Sequence, residues 1–513
     1  MLVRFVLLLV IVPCFAMPKE EGEYCGDCIN DVTEIYSFLG DNSTMTEVQA
    51  ALDVLCLMLP RDARKACRTL VADVVHELES LDKKLVEDYS PQQFCGILGF
   101  CETYCCATPY GPQEIHISLE ADDPTKMNIM WVTQSLCDTP TVRYGTSESS
   151  LTLSATGTSR TYHQGGWNGH IYLVQLENLK PESFYYYQVG DPEWKWSQVI
   201  YSFQTAPLTP VPANQEFTFI TYGDMGSSNA ADPDLYWLNE AARTHSADLI
   251  LHIGDISYAD GYQPGWDLFM QKIEPVAARI PYMTTAGNHE EFFDFTAYRY
   301  RFQMPVPEQN LVNVGRENMT LYYSFNYGNA HIVAISAEAF WGLAPNLHPG
   351  GAQHEWLIND LSSVDRETYP WVIAYLHRPL YCTNSNKCVT QTAYYRSLLE
   401  DIFNDYGVDL VLTAHQHDYE RTLPVYQSMV VDGYNQSSTR FQNVSAPIYS
   451  VIGTGGNHEG LQDNFVSPPS WSVPQSRMAV WGYTTIQMNS TALTWNFLNA
   501  ATHEVVDSFD LLK

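Results

Sequence analysis

The sequence predicts a multidomain fold: a small disulfide-bonded α-helical domain, then a β-sandwich, then a larger layered α/β domain. Three observations predict it. At 513 residues the chain is too long for one ordinary core. Most of its cysteines crowd between Cys25 and Cys106 instead of spreading along the chain. The apolar pattern also changes character twice, near residues 106 and 208. Acidic residues dominate, with 59 Asp and Glu against 27 Lys and Arg and a formal net charge of −32. That balance speaks against nucleic-acid partners, which are met by basic clusters. An anionic ligand would need a strong local positive field, which metal ions can supply.

Residues 1–16 read as a secretory signal peptide. Arg4 supplies a positive start, residues 5–12 an apolar stretch, and Cys14 and Ala16 a small-x-small cleavage site. Pro13 stops the run well short of the roughly 20 residues a membrane span needs. No later segment is long and apolar enough to span, so a soluble, secreted or lysosomal glycoprotein is expected. Five N-x-[ST] sequons, at Asn42, Asn318, Asn435, Asn443 and Asn489, agree with that compartment. So do the cysteines, which in an oxidising compartment read as disulfides. Of twelve, Cys14 falls in the leader; the remaining eleven are an odd number, leaving at least one thiol without a partner in the chain.

Residues 22–105 carry helical periodicity in two amphipathic stretches, 48–59 and 63–78. The cysteine order is Cys25-x2-Cys28, Cys56-x10-Cys67 and Cys95-x5-Cys101. A zinc site at Cys25-x2-Cys28 competes, but the other spacings do not repeat that motif. The six cysteines and the ending S-P-Q-Q-F-C resemble a saposin B-type domain. The resemblance implies nested bridges, Cys25 with Cys101, Cys28 with Cys95 and Cys56 with Cys67, and contact with a lipid or membrane surface. A domain that only packs on or shields its neighbour is the alternative.

Residues 106–207 hold short alternating or aromatic-rich runs at 114–119, 127–132, 141–144, 171–176, 184–189 and 200–204. Gly, Pro, Asp and Ser clusters separate them, the rhythm of an all-β sandwich of the fibronectin III-like kind. Trp131 and the run Tyr185-Tyr186-Tyr187 are expected in its core and interfaces. Cys137 has two candidate partners, Cys105 and Cys106, between which the sequence does not choose.

Residues 208–513 follow a Pro-rich linker, A-P-L-T-P-V-P, and alternate apolar runs with helix-compatible segments. Five of these runs end on a polar motif. The run 217–221 leads to Gly223-Asp224-Met225-Gly226, and 249–253 to Gly254-Asp255-Ile256-Ser257-Tyr258. The run 281–285 leads to Gly287-Asn288-His289-Glu290, 371–376 to His377, and 408–413 to Ala414-His415-Gln416-His417. Ligand sites of α/β sheets lie beyond the carboxyl ends of strands, so these five endings are expected to converge. Singly, each is ordinary: a Gly-Asp makes a turn and a lone His fills a core. The ordered set is what carries weight.

This set resembles the metallophosphoesterase superfamily and, within it, the purple acid phosphatases, from about Glu114 to the C-terminus and including G-T-G-G-N-H-E-G at 453–460. Many relatives begin with Asp-x-His; here Asp224-Met225-Gly226 has no such His, and Tyr258 stands where the purple enzymes place a tyrosinate ligand. Phenolate is a hard anionic donor that suits a trivalent ion and colours its iron complex. The resemblance implies a layered β-sandwich flanked by helices, with Fe(III) held by Asp224, Tyr258 and His417. Asp255 would be shared with a second, divalent metal (Zn, Fe or Mn) held also by Asn288, His377 and His415. It implies acid phosphatase activity on phosphate monoesters of small molecules or phosphoproteins, by attack of a metal-bound hydroxide. His289 would bind the phosphoryl group and protonate the leaving oxygen.

Departures are few. Ala414 replaces a usual glycine, and Ala374 stands where Val is common. The stretch after His377, R-P-L-Y-C-T-N-S-N-K-C, lacks the substrate-contacting histidines of the plant enzymes; Cys382 and Cys388 are expected to clip it with a disulfide. His289 is then the only acid candidate, with His458 an exposed loop residue near the rim. Two alternatives remain: a lipid phosphodiesterase similar to acid sphingomyelinase, which also joins a saposin-like domain to this superfamily, and a non-enzymatic lipid-binding protein.

Overall fold

The computed structural model describes residues 109–121, 123–305, 321–338 and 347–513, without the side chains of 386 and 387. The readings for the leader 1–16, the helical domain 22–105 with its six cysteines, and the sequons at Asn42 and Asn318 lie outside the described residues.

Eight strands come first: β1 (Gln113–Ser118), β2 (Met127–Thr133), β3 (Thr141–Gly145), β4 (Leu153–Thr156), β5 (Thr158–Arg160), β6 (His170–Leu176), β7 (Phe184–Gly190) and β8 (Tyr201–Gln204). They form two antiparallel four-stranded sheets, ordered β1-β2-β6-β5 and β4-β3-β7-β8. Period-2 alternation drives this, as Tyr185, Tyr187 and Val189 of β7 show by all being buried. Trp131 stacks on Tyr172 at 5.2 Å inside the sandwich. The Tyr187 hydroxyl reaches out of it and donates to Ala278 O at 2.7 Å. β4 and β5, rich in Ser and Thr and largely exposed, form edges that no apolar pattern announces.

The next domain opens with β9 (Phe217–Tyr222), α1 (Asp232–Thr244), β10 (Leu249–Ile253), α2 (Gln263–Ala277), β11 (Tyr282–Thr285) and α3 (Phe292–Arg301). It continues with β12 (Tyr323–Tyr327), β13 (Ala330–Ile335), α4 (Ala352–Ser362), β14 (Trp371–Leu376), α5 (Ser385–Asp405) and β15 (Leu410–Thr413). β16 (Tyr419–Arg421), β17 (Val425–Tyr426), β18 (Met429–Val430), β19 (Arg440–Gln442), β20 (Ile448–Ile452), β21 (Gly482–Met488), β22 (Ala492–Asn499) and β23 (Val505–Leu512) complete it. Two mixed sheets result, a seven-stranded β11-β10-β9-β21-β22-β23-β19 and a six-stranded β12-β13-β14-β15-β20-β16, besides the β17-β18 hairpin. β11, β10 and β9 are parallel, as are β13, β14, β15 and β20.

The sheets pack face to face. Phe217 and Phe219 meet Tyr327 edge-on at 5.6 and 5.5 Å. Thr285 Oγ1 donates to Ile335 O at 3.2 Å, and Trp495 Nε1 to Tyr419 Oη at 2.9 Å. Helices cover the outside: Leu357 and Leu361 of α4 and Leu399 and Phe403 of α5 pack on Val333, Val372, Ala374 and Val411. Strands buried on both faces need continuous apolar runs, which is why β10 and β14 read that way in the sequence. α1 shows the local signals of a helix: Pro233 and acids in its first turn, Leu235, Leu238 and Ala242 on its buried face, and His245 in the left-handed conformation as its stop. Among the described residues no helix is long and apolar enough to cross a membrane.

Candidate active site

Each of the five polar motifs follows a strand of this double-sheet domain. Asp224 comes after β9, Asp255 and Tyr258 after β10, and Asn288 and His289 after β11. His377 follows β14, while His415 and His417 follow β15. Backbone bonds stitch these ends together: Gly223 N to Ile452 O at 2.9 Å, Asp224 N to Gly254 O at 3.1 Å, and Ala414 N to His377 O at 3.0 Å. Both sheets therefore contribute to one rim.

At that rim the chain turns sharply. Asp224, Asp255, Tyr258, Asp260 and His415 all have positive φ, between 48° and 68°. Such backbone costs of order 1 kcal/mol or more per non-glycine residue and clusters at functional sites. Glycines relieve the rest. Gly254, at φ +73°, lies where a side-chain carbon would come within 2.7 Å of His377 Nδ1, and a side chain on Gly287 would collide with Asp255 Oδ1.

Two groups of donors result. In the first, the Tyr258 hydroxyl sits 3.0 Å from Asp224 Oδ1 and 3.0 Å from His417 Nε2. In the second, ligand atoms of Asp255, His377 and His415 lie within 4.8 Å of one another, with His377 Nε2 3.0 Å from Asp255 Oδ2. The Asn288 Oδ1 atom is buried and has no hydrogen-bond partner among the described residues. A buried carboxamide oxygen left bare is costly unless something electropositive takes it. Outer contacts aim the rings: Ile253 O is 2.9 Å from His377 Nδ1, and Gly460 O is 2.9 Å from His417 Nδ1. Asp224 Oδ2 accepts from His415 N at 2.8 Å. Ligand rings are commonly held in this way through their second nitrogen.

The electrostatics fit cations. Burial, with Asp224 and Asp255 beside it, pushes the Tyr258 phenol well above its usual range, so a metal taking this oxygen would have to displace its proton. Burial, Arg378 and His377 hold the His415 ring well below the usual imidazole range, in the neutral form that ligates. Burial alone would lower the pKa of His377, yet Asp255 raises it to about 9. Carboxylates, a phenol, a carboxamide and imidazoles are the donor set for one hard trivalent and one divalent ion.

Other residues stand at the site beside the predicted ligands, Glu290 from the motif 287–290 and Asn457 and Glu459 from the run 453–460 among them. Asp260 Oδ1 accepts from His289 Nδ1 at 2.5 Å. Glu290, buried and raised to about 7 by that burial and by Asp255, accepts from Ile256 N at 2.9 Å and Gly287 N at 2.8 Å, tying two ligand loops together. Glu459 Oε1 lies 3.9 Å from His289 Nε2, and Asn457 Nδ2 donates to Asp224 O at 3.1 Å. The spacing of Asp260, two residues beyond Tyr258, was the one available signal for it. His458 is exposed, its ring 5.5 Å from that of Tyr258. Cys382 and Cys388 are joined in a disulfide with Cα atoms 6.4 Å apart. Cys137 is buried with no disulfide partner among the described residues; Cys105 and Cys106 lie outside them. Asn435 and Asn443 are exposed, whereas Asn489 Oδ1 caps a turn by accepting from Thr491 N and Ala492 N at 3.0 Å each.

Oxygen and imidazole donors gathered at the strand ends of two packed sheets are the construction of a binuclear metallophosphoesterase. Family models agree: residues 112–205 match the purple acid phosphatase N-terminal domain, 217–419 the calcineurin-like phosphoesterase, and 446–508 the iron/zinc purple acid phosphatase-like protein C. The chain is 34% identical over 400 residues to probable purple acid phosphatase 20 of Arabidopsis thaliana, covering 76% of this chain and 84% of that protein. It is 33% identical over 412 residues to acid phosphatase type 7 of Mus musculus, covering 76% and 89%. The chain belongs to the purple acid phosphatase family. It is an acid phosphatase with a binuclear metal centre of the family's iron/zinc type, acting on phosphorylated substrates. The purple acid phosphatase PPD1 from yellow lupin seeds shares the fold, with a TM-score of 0.68 at 24% identity, over 79% of this chain and 75% of that one.

Proposed function

We propose that this protein hydrolyses phosphate monoesters, with Fe(III) held by Asp224, Tyr258 and His417 and a divalent ion by Asn288, His377 and His415, Asp255 bridging. The observation that carries the reading is the Tyr258 phenol standing 3.0 Å from both Asp224 and His417. When bound, the two ions supply a nucleophile from water at acid pH and neutralise charge on the phosphoryl group. The chain's own residues do the rest. His289 presents Nε2 towards the bound ester, with its Nδ1 proton tied to Asp260, and gives its proton to the leaving oxygen. Glu290 keeps the Asp255 and Asn288 loops in register. Second-metal identity among Zn, Fe and Mn follows availability as much as the donor set.

The experiment is metal content and the visible absorption spectrum of the purified full chain, with hydrolysis of an aryl phosphate beside a sphingomyelin analogue. Two ions per chain, a phenolate-to-iron band and monoester turnover are expected. A colourless, iron-free yet fully active protein would overturn the metal assignment, and robust diesterase turnover the substrate assignment. We further propose that residues 22–105 form a saposin-like helical unit able to meet a lipid surface, supported by the spacing of six cysteines. Disulfide mapping by mass spectrometry tests the pairs Cys25 with Cys101, Cys28 with Cys95 and Cys56 with Cys67. Secretion or lysosomal residence, with glycans at the five sequons, is supported by the leader-like residues 1–16 and the Cys382–Cys388 bridge.

A further inference from the structure

Arg378, next in the chain to His377, is not part of either donor group, yet every one of its guanidinium nitrogens has a partner. Nε and Nη2 donate to Oε1 and Oε2 of Glu338 at 2.8 Å each. Glu338 is almost wholly buried, at 1% exposure, so this two-point fork fixes the plane of the guanidinium. The remaining terminus, Nη1, points at His415 Nε2 from 2.7 Å.

Arginine has donors and no acceptors, so this contact requires a His415 Nε2 without a proton. With Nε2 taken, Nδ1 is the nitrogen left to a metal. A neutral imidazole that gives one nitrogen to a metal carries its proton on the other. In the metal-loaded site a donor would therefore face a donor, and Nη1 needs another acceptor while Glu338 still anchors Nε and Nη2. Arg378 lies within electrostatic reach of Asp255 and of Glu291, two residues beyond His289, so it borders the divalent-metal side of the rim. Its side chain keeps 13% exposure there. No histidine occurs between Arg378 and Cys388 to hold a phosphoryl oxygen on that side.

We propose that Arg378 is a phosphoryl-binding residue: with the Glu338 fork holding the guanidinium in place, Nη1 donates to an oxygen of the ester that binds beside it once the metals are in place. The inference rests on the assignment of His415 to the divalent ion. It deepens the substrate class: a fixed cation beside the metals favours the dianionic terminal phosphoryl group of a monoester over the monoanion of a diester.

The test uses the full-length metal-loaded enzyme and R378A and R378K. Inorganic phosphate binding is read from its effect on the visible band, metal content by elemental analysis, and kcat and KM with 4-nitrophenyl phosphate and bis(4-nitrophenyl) phosphate. R378A is expected to weaken phosphate binding and raise monoester KM about 10–100-fold, the range for a hydrogen bond to a charged group. Both metals should stay, the monoester-over-diester preference should fall, and R378K should recover part of the loss. Because alanine strands Glu338 as a buried charge, the double variant R378Q/E338Q is carried in parallel and must show the same loss of phosphate affinity. Unchanged phosphate affinity, or loss of the divalent metal with KM unmoved, would overturn the proposal and leave Arg378 at most a prop for His415. A wild-type protein without iron or without phosphatase activity would instead strike at the binuclear reading itself.

Discussion

His289 Nδ1 donates to Asp260 Oδ1 at 2.5 Å, which leaves Nε2 as the nitrogen for the proposed role of proton donor to the bound ester. With Nδ1 engaged, Nε2 is the proton-carrying end. Burial would lower the pKa of the ring, but Asp255, Asp260 and Glu459 outweigh it and hold it well above the ordinary imidazole range. The ring thus keeps its proton to higher pH than an ordinary imidazole, and loses it as pH rises through the raised value. Activity that needs it is present below that point and declines above it. D260N removes one of the carboxylates, so the basic limb of the kcat/KM profile should move to lower pH and kcat should fall about 10–100-fold, as for other residues that orient a functional ring. A pH–rate profile identical to wild type would remove Asp260 from the mechanism.

Tyr258 offers a spectroscopic prediction. Replacing it with Phe keeps the ring but removes the hydroxyl that sits between Asp224 and His417. Y258F should lose the visible band and hold less iron while its divalent-metal content stays. Since burial and the neighbouring carboxylates keep the phenol protonated until metal arrives, iron uptake should release a proton and weaken as pH falls. Iron binding that is independent of pH would contradict a tyrosinate ligand.

How much of this was legible in the sequence follows a physical line. The strands β9, β10, β11, β14 and β15 are buried on both faces, so their apolar runs stand out, and each stops at its polar motif. The sandwich strands with a buried face were legible too; β4 and β5 were not, because exposed edges carry no apolar alternation. Asp260, Glu338, Glu459 and the Arg378 fork were missed for a different reason. Their partners lie 29 to 40 residues away or more, and such pairings leave no local period. Sequence patterns report what each residue does to its own strand or helix; they are silent on which loops meet.

The loop after His377 is pinned twice. Besides the Cys382–Cys388 bridge, buried Glu420 accepts from Thr383 N at 2.8 Å and Asn384 N at 3.1 Å. A bridge closing so short a loop contributes about 2 kcal/mol in the loop-entropy picture. The double variant C382S/C388S should therefore lower unfolding free energy by roughly that amount. Metal content and phosphate affinity should survive, because Glu420 still holds the backbone. Loss of the divalent metal in C382S/C388S would mean the bridge, not Glu420, positions His377.

The junction of the two domains is a charge network whose pH dependence can be worked out. Arg301 of α3, 1% exposed, meets Glu114 Oε2 at 2.7 Å, Asp267 Oδ1 at 2.6 Å and the Tyr162 hydroxyl at 2.9 Å. One guanidinium thus faces two buried carboxyls. Burial first, and then Asp267, push the Glu114 carboxyl well above its ordinary value of 4.5, against the pull of Arg301. A raised folded pKa means the stabilising contribution is complete below the ordinary carboxyl value and is lost as pH rises through the folded one. The junction is therefore tightest in acid, and E114Q, which carries a permanent proton equivalent, should flatten the fall of Tm as pH rises above 4.5. R301A should be far worse, at about 3–5 kcal/mol, because it strands buried carboxyls without their cation. The triple variant R301M/E114Q/D267N removes every charge together and should recover much of that loss in urea denaturation. If R301A unfolds at the wild-type urea midpoint, the network does not hold the sandwich to the catalytic domain.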